Sequence, residues 1–333
     1  MRTQVLGEPQ GLLFMVVGPP GVGKNTLMND ALRHFDNLRQ LPTVTTRERR
    51  SNEQEGREHI FVSPETFQHM IAEGQLFEWQ EVHPGKFYGV PRSSMEPVLS
   101  KGANRIADID VLGATYIRSV FPANVVLIFI KPPSIEVLKH RMEIRREKDI
   151  STRLTRVAME LSFAPVADHI VINDDFKTAA QQFRAVINSE MQRQQLGHPP
   201  EYHYTTDVVT IPIYGQEALF RQTPPHFPTL PVTDPQIPHE VALSAIQDTL
   251  SISPSQDLLV RRKPNQGSFI SPVHVSVIEK DQTKHITFTY AYLLPERTPP
   301  GSDWRWRPID DLALAEDIQR RLEIHQQVSP QET

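Results

Sequence analysis

The nine residues from Gly18 to Thr26, which read GPPGVGKNT, have the clearest chemical pattern in the chain. They follow an apolar run at 12–17 and precede a stretch at 27–35 that is predicted to be helical. Backbone N–H groups in a G-x4-G-K loop between strand and helix can wrap a polyphosphate, and Lys24 can reach its terminal phosphates. A hydroxyl residue usually follows the lysine; here Asn25 does, with Thr26 beside it. The loop therefore predicts a nucleotide site, the alternative being a Gly-Pro turn that merely joins strand to helix.

A second candidate phosphate site follows at 43–50, where TVTTRERR ends a hydroxyl-rich, strand-like run. Guanidinium groups bind phosphate oxygens through forked, bidentate hydrogen bonds. Arg47 and Arg50 stand three residues apart and could hold one phosphoryl group between them. Taken alone, the run is equally typical of a solvated basic loop.

Carboxylates downstream suggest recognition of a base. Glu78 lies in LFEW, and Asp108 and Asp110 lie in ADIDVLG. Carboxylates only accept hydrogen bonds, which suits the N–H donors that guanine presents at N1 and N2. Residues i and i+2 of a strand share a face, so both aspartates are predicted to face one cleft. The alternative is a strand end that caps a neighbouring helix.

A cluster of arginines follows in a segment that is predicted to be helix, loop and helix: Arg141, Arg145, Arg146 and Arg153. We interpret this segment as a mobile lid. Arginines placed over a phosphoryl group during its transfer contribute a large electrostatic stabilisation of the transition state.

Composition limits the classes of function. The 333 residues suffice for two domains, and a net charge of −5 gives no basic field for a nucleic-acid backbone. The absence of cysteine excludes disulfides, thiolate metal sites and a cysteine nucleophile. The first apolar run is far shorter than the roughly 20 residues of a membrane span. We therefore expect a cytoplasmic protein without nucleic-acid or membrane partners, and oligomeric state is left open.

The order of apolar segments predicts two domains, 1–192 and 206–333, with a polar, proline-bearing linker at 193–205. In the first domain, alternating strand-like and helix-like runs favour an α/β fold with a parallel sheet. The predicted elements there include strands 104–109, 125–130 and 170–173 and helices 135–144 and 150–161. The second domain is predicted to be α+β, with strands 207–214, 273–278 and 287–294, helices 239–250 and 313–324, and an irregular connection at 224–238.

Taken together, the motifs resemble the guanylate kinase family over roughly residues 10 to 190. The resemblance rests on nine motifs in order: GPPGVGKNT, TTRERR, GREHIFVS, LFEW, FYGV, ADIDVLG, IFIKPPS, the arginine segment and VINDD. It implies a P-loop nucleoside monophosphate kinase that phosphorylates GMP or dGMP with ATP, as part of purine nucleotide metabolism. It also implies Mg2+, held mainly by ATP phosphates and water rather than by a protein ligand set.

The resemblance assigns roles to individual residues of this sequence. Catalysis would fall to Lys24, Arg47, Arg145 and Arg153. The ATP site would comprise Gly18, Pro19, Pro20, Gly21, Val22, Gly23, Lys24, Asn25 and Thr26, with Asn173 near the adenine. The GMP site would comprise Thr43, Arg47, Arg50, His59, Glu78, Tyr88, Asp108 and Asp110.

Three positions depart from the family pattern. His59 replaces a usual tyrosine, Val90 replaces a usual serine or threonine, and Asn25 replaces the hydroxyl residue after the lysine. At His59 and Val90 the chain resembles the ribose 1,5-bisphosphate phosphokinases, which need no residue that recognises guanine. At Glu78, Asp108 and Asp110 it resembles guanylate kinases. A non-catalytic guanylate-kinase-like binding module is the other alternative, although such modules have usually lost the phosphate loop that is intact here.

Residues 206–333 loosely resemble a Nudix hydrolase in the order of their elements. A working Nudix site needs a helix with several glutamates to hold Mg2+. The corresponding helix reads HEVALSAIQDTLSI and carries only Glu240 and Asp248, so we expect a degenerate domain that does not hydrolyse. Trp304 and Trp306 alternate along a predicted strand and could stack a base or fill a core.

Overall fold

A computed structural model describes most of the chain. The described residues are 11–49, 53–83, 86–144, 163–198, 203–222, 225–233, 238–255, 272–297 and 303–315, with single residues 150, 154, 157, 160, 161, 259, 318 and 319. The chain divides into two compact units. The N-terminal unit comprises residues 1–79 and 88–203, and the C-terminal unit comprises residues 80–87 and 204–333.

Nine strands and six α-helices have defined bounds among the described residues of the first part of the chain, which also contains a short 3-10 helix at Ala164–Val166. The strands are β1 (Leu13–Val17), β2 (Leu38–Gln40), β3 (Thr43–Thr45), β4 (His59–Phe61), β5 (Leu76–His83), β6 (Lys86–Pro91), β7 (Asn104–Asp108), β8 (Val125–Lys131) and β9 (His169–Ile172). The helices are α1 (Lys24–His34), α2 (Pro64–Ala72), α3 (Arg92–Lys101), α4 (Val111–Val120), α5 (Ile135–Ile144) and α6 (Phe176–Gln195).

A parallel five-stranded sheet forms the centre of the N-terminal unit, with strand order β2-β7-β1-β8-β9. Every residue of β1 is buried, as expected for a strand covered on both faces. Phe14 and Val16 belong to a core cluster shared with α1 and α6. Leu13, Met15 and Val17 are buried on the opposite face, where α4 adjoins β1 and β8. The predicted α/β fold with a parallel sheet is confirmed.

A smaller mixed sheet has the strand order β4-β3-β6-β5. β3 runs parallel to β4 and antiparallel to β6, with Thr43 opposite His59 and Thr45 opposite Tyr88. Helix α2 follows β4 and begins after Ser63, whose hydroxyl accepts from the backbone N–H of Thr66. The strands of this sheet carry four of the eight residues that are predicted to bind GMP, namely Thr43, His59, Glu78 and Tyr88.

The expectation that Asp108 and Asp110 share a strand face is wrong. β7 ends at Asp108, and α4 begins at Val111. The backbone carbonyl of Asp110 accepts from the N–H of Ala114, at 2.9 Å, and so opens the helix. Because the chain turns directly from strand to helix, the alternation of faces ends with Asp108. The two carboxylates therefore leave from different elements.

The C-terminal unit is rich in sheet, as predicted. Its elements are β10 (His203–Tyr214), β11 (Glu217–Gln222), β12 (Pro225–His226), β13 (Thr229–Pro231), α7 (Pro238–Leu250), β14 (His274–Lys280), β15 (Thr283–Leu293) and β16 (Trp304–Pro308). They form a seven-stranded sheet along the path β12-β11-β10-β15-β14, with β13 paired to β10 and β16 paired to β11. The connection at 224–238, which was expected to be irregular, thus contains two short strands.

Two other boundaries differ from the sequence-based expectation. Helix α6 extends to Gln195 and β10 begins at His203, so ordered elements occupy both ends of the predicted linker 193–205. The predicted C-terminal helix 313–324 lies mostly outside the described residues. Within the described part of the chain, no helix has the length and apolar character needed to cross a bilayer.

Candidate active site

The phosphate loop lies at the carboxyl end of β1, the middle strand of the parallel sheet. This is the edge where open α/β sheets bind their ligands. Gly18 has a φ of +135°, and a Cβ there would lie 2.3 Å from the backbone oxygen of Ile130. Only glycine fits so close to the neighbouring strand β8. The loop then passes directly into α1, whose N-terminus faces any anion held by the loop.

Lys24 is the first residue of α1 and is folded back over the loop. Its Nζ donates to the backbone oxygen of Gly18 at 2.7 Å and lies 3.7 Å from Oδ1 of Asp108, at the end of β7. The ammonium is therefore held where a loop-bound polyphosphate would meet it. Asp108 thus lies beside the phosphate loop, and its predicted contact with GMP stays a prediction.

Asn173 holds the phosphate loop in place through a side-chain hydrogen bond. It follows β9 and is 7% exposed, and its Nδ2 donates to the backbone oxygen of Val22 at 2.7 Å. A Cβ at Gly23, which has a φ of +101°, would lie 2.5 Å from that nitrogen. Asn173 thus fixes the shape of the loop, and the predicted contact with adenine stays a prediction.

Arg141 is one of the arginines that were predicted to belong to a lid. It lies in α5, and its two terminal nitrogens donate to the backbone oxygens of Asn173 and Asp174 at 2.8 and 2.7 Å. It therefore ties α5 to the segment after β9. The predicted catalytic residues Arg145 and Arg153, together with Arg146, lie outside the described residues.

Arg47 lies after β3 in a two-pronged ion pair with Glu53. Its terminal nitrogens lie 2.7 and 2.5 Å from the two carboxylate oxygens. Burial by itself would lower the pKa of Arg47, but interactions with Glu53 and Tyr88 outweigh burial, and the net pKa is raised. Glu53 was not predicted from the sequence; an acidic residue six positions after Arg47 was the available signal. Arg50, the predicted partner of Arg47, lies outside the described residues.

Three further predicted GMP residues come together on the small sheet. The hydroxyl of Thr43 lies 2.7 Å from Nδ1 of His59, its neighbour on β4. The His59 ring stands edge-on to the Tyr88 ring, with centroids 6.0 Å apart. Because β3 lies between β4 and β6, these side chains and Arg47 occupy one region of the sheet.

Glu78, on β5, is the most unusual carboxyl group of the site. It is 4% exposed, and its Oε2 has no hydrogen-bond partner within the described part of the chain. Burial, and then the charge of Asp110, raise the pKa of Glu78 well above its ordinary value. Glu78 is therefore a desolvated carboxyl group whose charged form is disfavoured until a donor group stabilises it.

The fold and this site define a P-loop nucleotide kinase. The family model for guanylate kinase matches residues 10–190. A curated guanylate kinase from Symbiobacterium thermophilum is 36% identical over 189 residues, which are 56% of this chain and 89% of that protein. One from Rhizobium meliloti is 37% identical over 188 residues, 56% of this chain and 85% of that protein. The chain therefore belongs to the guanylate kinase family.

Two solved structures are similar to parts of the chain. A guanylate kinase from Anaplasma phagocytophilum is 31% identical and covers 55% of this chain and 87% of its own, with a TM-score of 0.46. A NUDIX-family hydrolase from Clostridium perfringens is 12% identical and covers 36% of this chain and 97% of its own, with a TM-score of 0.28. Both TM-scores lie below 0.5, so neither likeness carries an argument, and the Nudix-like interpretation of 206–333 stays a prediction.

Proposed function

We propose that this chain transfers the γ-phosphoryl group of ATP to GMP, and to dGMP, with Mg2+. The observation that carries the proposal is Glu78, because its buried carboxyl lacks a hydrogen-bond partner for Oε2 within the described residues. Guanine presents adjacent N–H donors at N1 and N2, which are what such an acceptor requires. A kinase that read only a sugar phosphate would gain nothing from this costly group.

The GMP phosphate would be bound at the other end of the small sheet. Arg47 supplies a permanent positive charge, and Tyr88 supplies a phenol that interacts with it. Thr43 and His59 are hydrogen-bonded to each other beside them. In the proposed complex, these groups hold the phosphate while Glu78 and Asp110 hold the base.

The phosphate loop would bind ATP through its backbone amides and Lys24. The oxygen donors near the loop fit Mg2+, which prefers oxygen ligands and keeps several of its waters. They are the hydroxyl of Thr26, the amide oxygen of Asn25 and the carboxylate of Asp108, which is already 3.7 Å from Lys24. Bound Mg2+ would neutralise charge on the transferring phosphoryl group.

No protein nucleophile is needed, because an oxygen of the GMP phosphate attacks the γ-phosphorus in line and ADP leaves. The chain supplies position and charge. Lys24 and Arg47 provide cations on the donor and acceptor sides. Closure over the site would exclude water and suppress hydrolysis of ATP. Arg145 and Arg153 are proposed to take part in this closed state.

The test is steady-state formation of nucleoside diphosphate by the purified chain with ATP and Mg2+. GMP, dGMP, AMP, UMP and ribose 1,5-bisphosphate would be compared as acceptors. We expect a clear preference for GMP and dGMP. Activity on the sugar bisphosphate alone would replace this proposal with the phosphokinase alternative. The absence of any transfer would mean that Asn25, His59 and Val90 mark a domain that binds without catalysis.

We also propose that the kinase comprises residues 1–192, and that 206–333 form a separate, non-hydrolytic domain. Acidic side chains on α7 are limited to Glu240 and Asp248, too few for a Nudix metal site. A fragment that ends at residue 198, after α6, should fold and retain GMP kinase activity. An insoluble or inactive fragment would refute the proposed division.

A further inference from the structure

We propose that Gly113 is a positioning residue for base selectivity, because its missing side chain leaves the space in which the Glu78 carboxyl stands. The proposal rests on the proposed function and adds a residue to it. Gly113 lies in the first turn of α4 and is the last residue of the ADIDVLG motif, but the sequence alone assigned it no role.

The geometry is unusually restrictive. A Cβ at Gly113 would lie 2.2 Å from Oε2 of Glu78, 2.3 Å from its Cδ and 2.7 Å from Oε1. All three distances are far below van der Waals contact. Any other residue at 113 would therefore displace the whole carboxyl group rather than one oxygen.

The Glu78 backbone has little freedom to retreat from such a clash. A Cβ at Gly89, on the neighbouring strand β6, would lie 2.9 Å from the backbone oxygen of Glu78 and 3.3 Å from Cζ of Phe67. β5 and β6 thus approach closely where Glu78 leaves the strand. With Gly89 against its backbone and Gly113 against its carboxyl, Glu78 occupies a narrow slot.

Placing the Glu78 carboxyl group in this slot is also electrostatically costly, which argues against a purely structural role for Glu78. Asp110, at the start of α4, adds a second negative group that disfavours the charged form of Glu78. Glycine is the poorest helix former apart from proline, and α4 nevertheless carries one at this position. An acceptor that is placed at such cost is explained by a ligand with matching donors, and the slot fixes where those donors must lie.

The first experiment compares Gly113→Ala with the wild-type chain. We expect the KM for GMP to rise roughly 10- to 100-fold, because a displaced carboxyl group leaves the N–H donors of the base without their acceptor. The KM for ATP should change less than about twofold, because the phosphate loop is not involved. The preference for GMP over IMP, which lacks the N2 amine, should fall in parallel.

A double-mutant cycle separates this role from simple helix packing. Glu78→Asp withdraws the carboxyl from Gly113 by one methylene. We therefore expect Gly113→Ala to cost much less in the Glu78→Asp background than in the wild-type chain. An equal cost in both backgrounds would overturn the proposal, as would an unchanged KM for GMP in the single variant.

Separate controls address the folding of the Gly113→Ala variant and the proposed GMP kinase activity. If Gly113→Ala does not fold, GMP binding is compared between Glu78→Asp and Glu78→Asp/Gly113→Ala. Equal affinity supports the slot, and a loss of about tenfold or more in the double variant contradicts it. A wild-type chain that does not phosphorylate GMP would refute the proposed function, whereas an active wild-type chain with an indifferent Gly113→Ala variant would refute only this inference.

Discussion

The Arg47 guanidinium is held by the Glu53 carboxylate through two parallel hydrogen bonds, of 2.7 and 2.5 Å. The two side chains are only 8% and 10% exposed. Arg47 also lies over the ring of Phe61, with 5.5 Å between the guanidinium carbon and the ring centroid. The arginine that is proposed to bind the GMP phosphate is therefore pre-oriented by an internal counterion.

We predict that Glu53→Gln lowers kcat/KM for GMP by about tenfold, because a neutral amide holds Arg47 less firmly than a carboxylate does. A tenfold change corresponds to about 1.4 kcal/mol of transition-state stabilisation. Arg47→Ala should lower it by at least about 100-fold, since the phosphate then loses its charge partner. KM for ATP serves as the internal control. A Glu53→Gln enzyme with unchanged GMP kinetics would show that the ion pair is only structural.

Lys24→Ala should reduce kcat by at least about 1000-fold, because the terminal phosphates of ATP lose a positioned cation. Its ion pair with Asp108 is 3.7 Å long and partly exposed, so the free energy of unfolding should change by less than about 1 kcal/mol. Steady-state kinetics and urea unfolding would check both. Lys101→Ala, at an exposed lysine, is the matched control. Retained turnover in Lys24→Ala would contradict the catalytic role of the loop.

Asn173→Ala should destabilise the fold by about 1–3 kcal/mol, because the buried Val22 carbonyl loses its donor at 2.7 Å. It should also raise the KM for ATP, since the phosphate loop is less firmly held. Urea unfolding and ATP titration would measure these effects. Asn37→Ala, at an exposed position, should change neither. A rise in the KM for GMP alone would argue against a role in the loop.

The raised pKa of Glu78 makes stability depend on pH. Its causes are burial and then Asp110, and the ordinary value is 4.5. Above pH 4.5 the unfolded chain releases this proton while the folded chain retains it, so the contribution to stability falls as pH rises towards the folded pKa. Glu78→Gln should remove this dependence in urea unfolding of the ligand-free protein. An identical pH profile in both proteins would contradict a protonated Glu78.

GMP binding should release a proton from Glu78, because N–H donors favour the carboxylate over the acid. Calorimetry in two buffers of different ionisation enthalpy would count the protons. Any proton that GMP itself releases is released equally with the wild-type chain and with Glu78→Gln. The difference in proton release between the two proteins therefore measures the contribution of Glu78. Equal proton release in the two proteins would mean that Glu78 does not change its charge on binding.

Breaking a buried ion pair away from the site should destabilise the N-terminal unit strongly. Arg118 donates to both carboxylate oxygens of Asp168, at 2.9 and 2.7 Å. Their side chains are 2% and 13% exposed. Arg118→Ala should cost about 3–5 kcal/mol in urea unfolding, because the Asp168 carboxylate loses its positive partner and two of its hydrogen bonds. The exposed pair Lys139–Glu143 provides the control, since Lys139→Ala should cost less than about 1 kcal/mol.

The sequence by itself determined the parallel sheet, the phosphate loop and the family. These features are local: an apolar run, a glycine-rich turn and a lysine at fixed spacing specify strand, loop and helix within about 20 residues. The helix predicted at 135–144 coincides with α5. Such patterns depend on neighbours along the chain, which the sequence shows directly.

Tertiary structure alone decided how the side chains of the site meet. Asp108 lies beside the phosphate loop because it forms an ion pair with Lys24. Asn173 donates a hydrogen bond to the backbone oxygen of Val22, 151 positions away in the sequence. Gly113 meets Glu78 although 35 positions separate them (113 − 78 = 35). Contacts of this kind depend on where strands and helices end in space, and a shift of one residue changes which face a side chain occupies. Residue types therefore predicted the chemistry, while packing decided which residues carry it and how each is held.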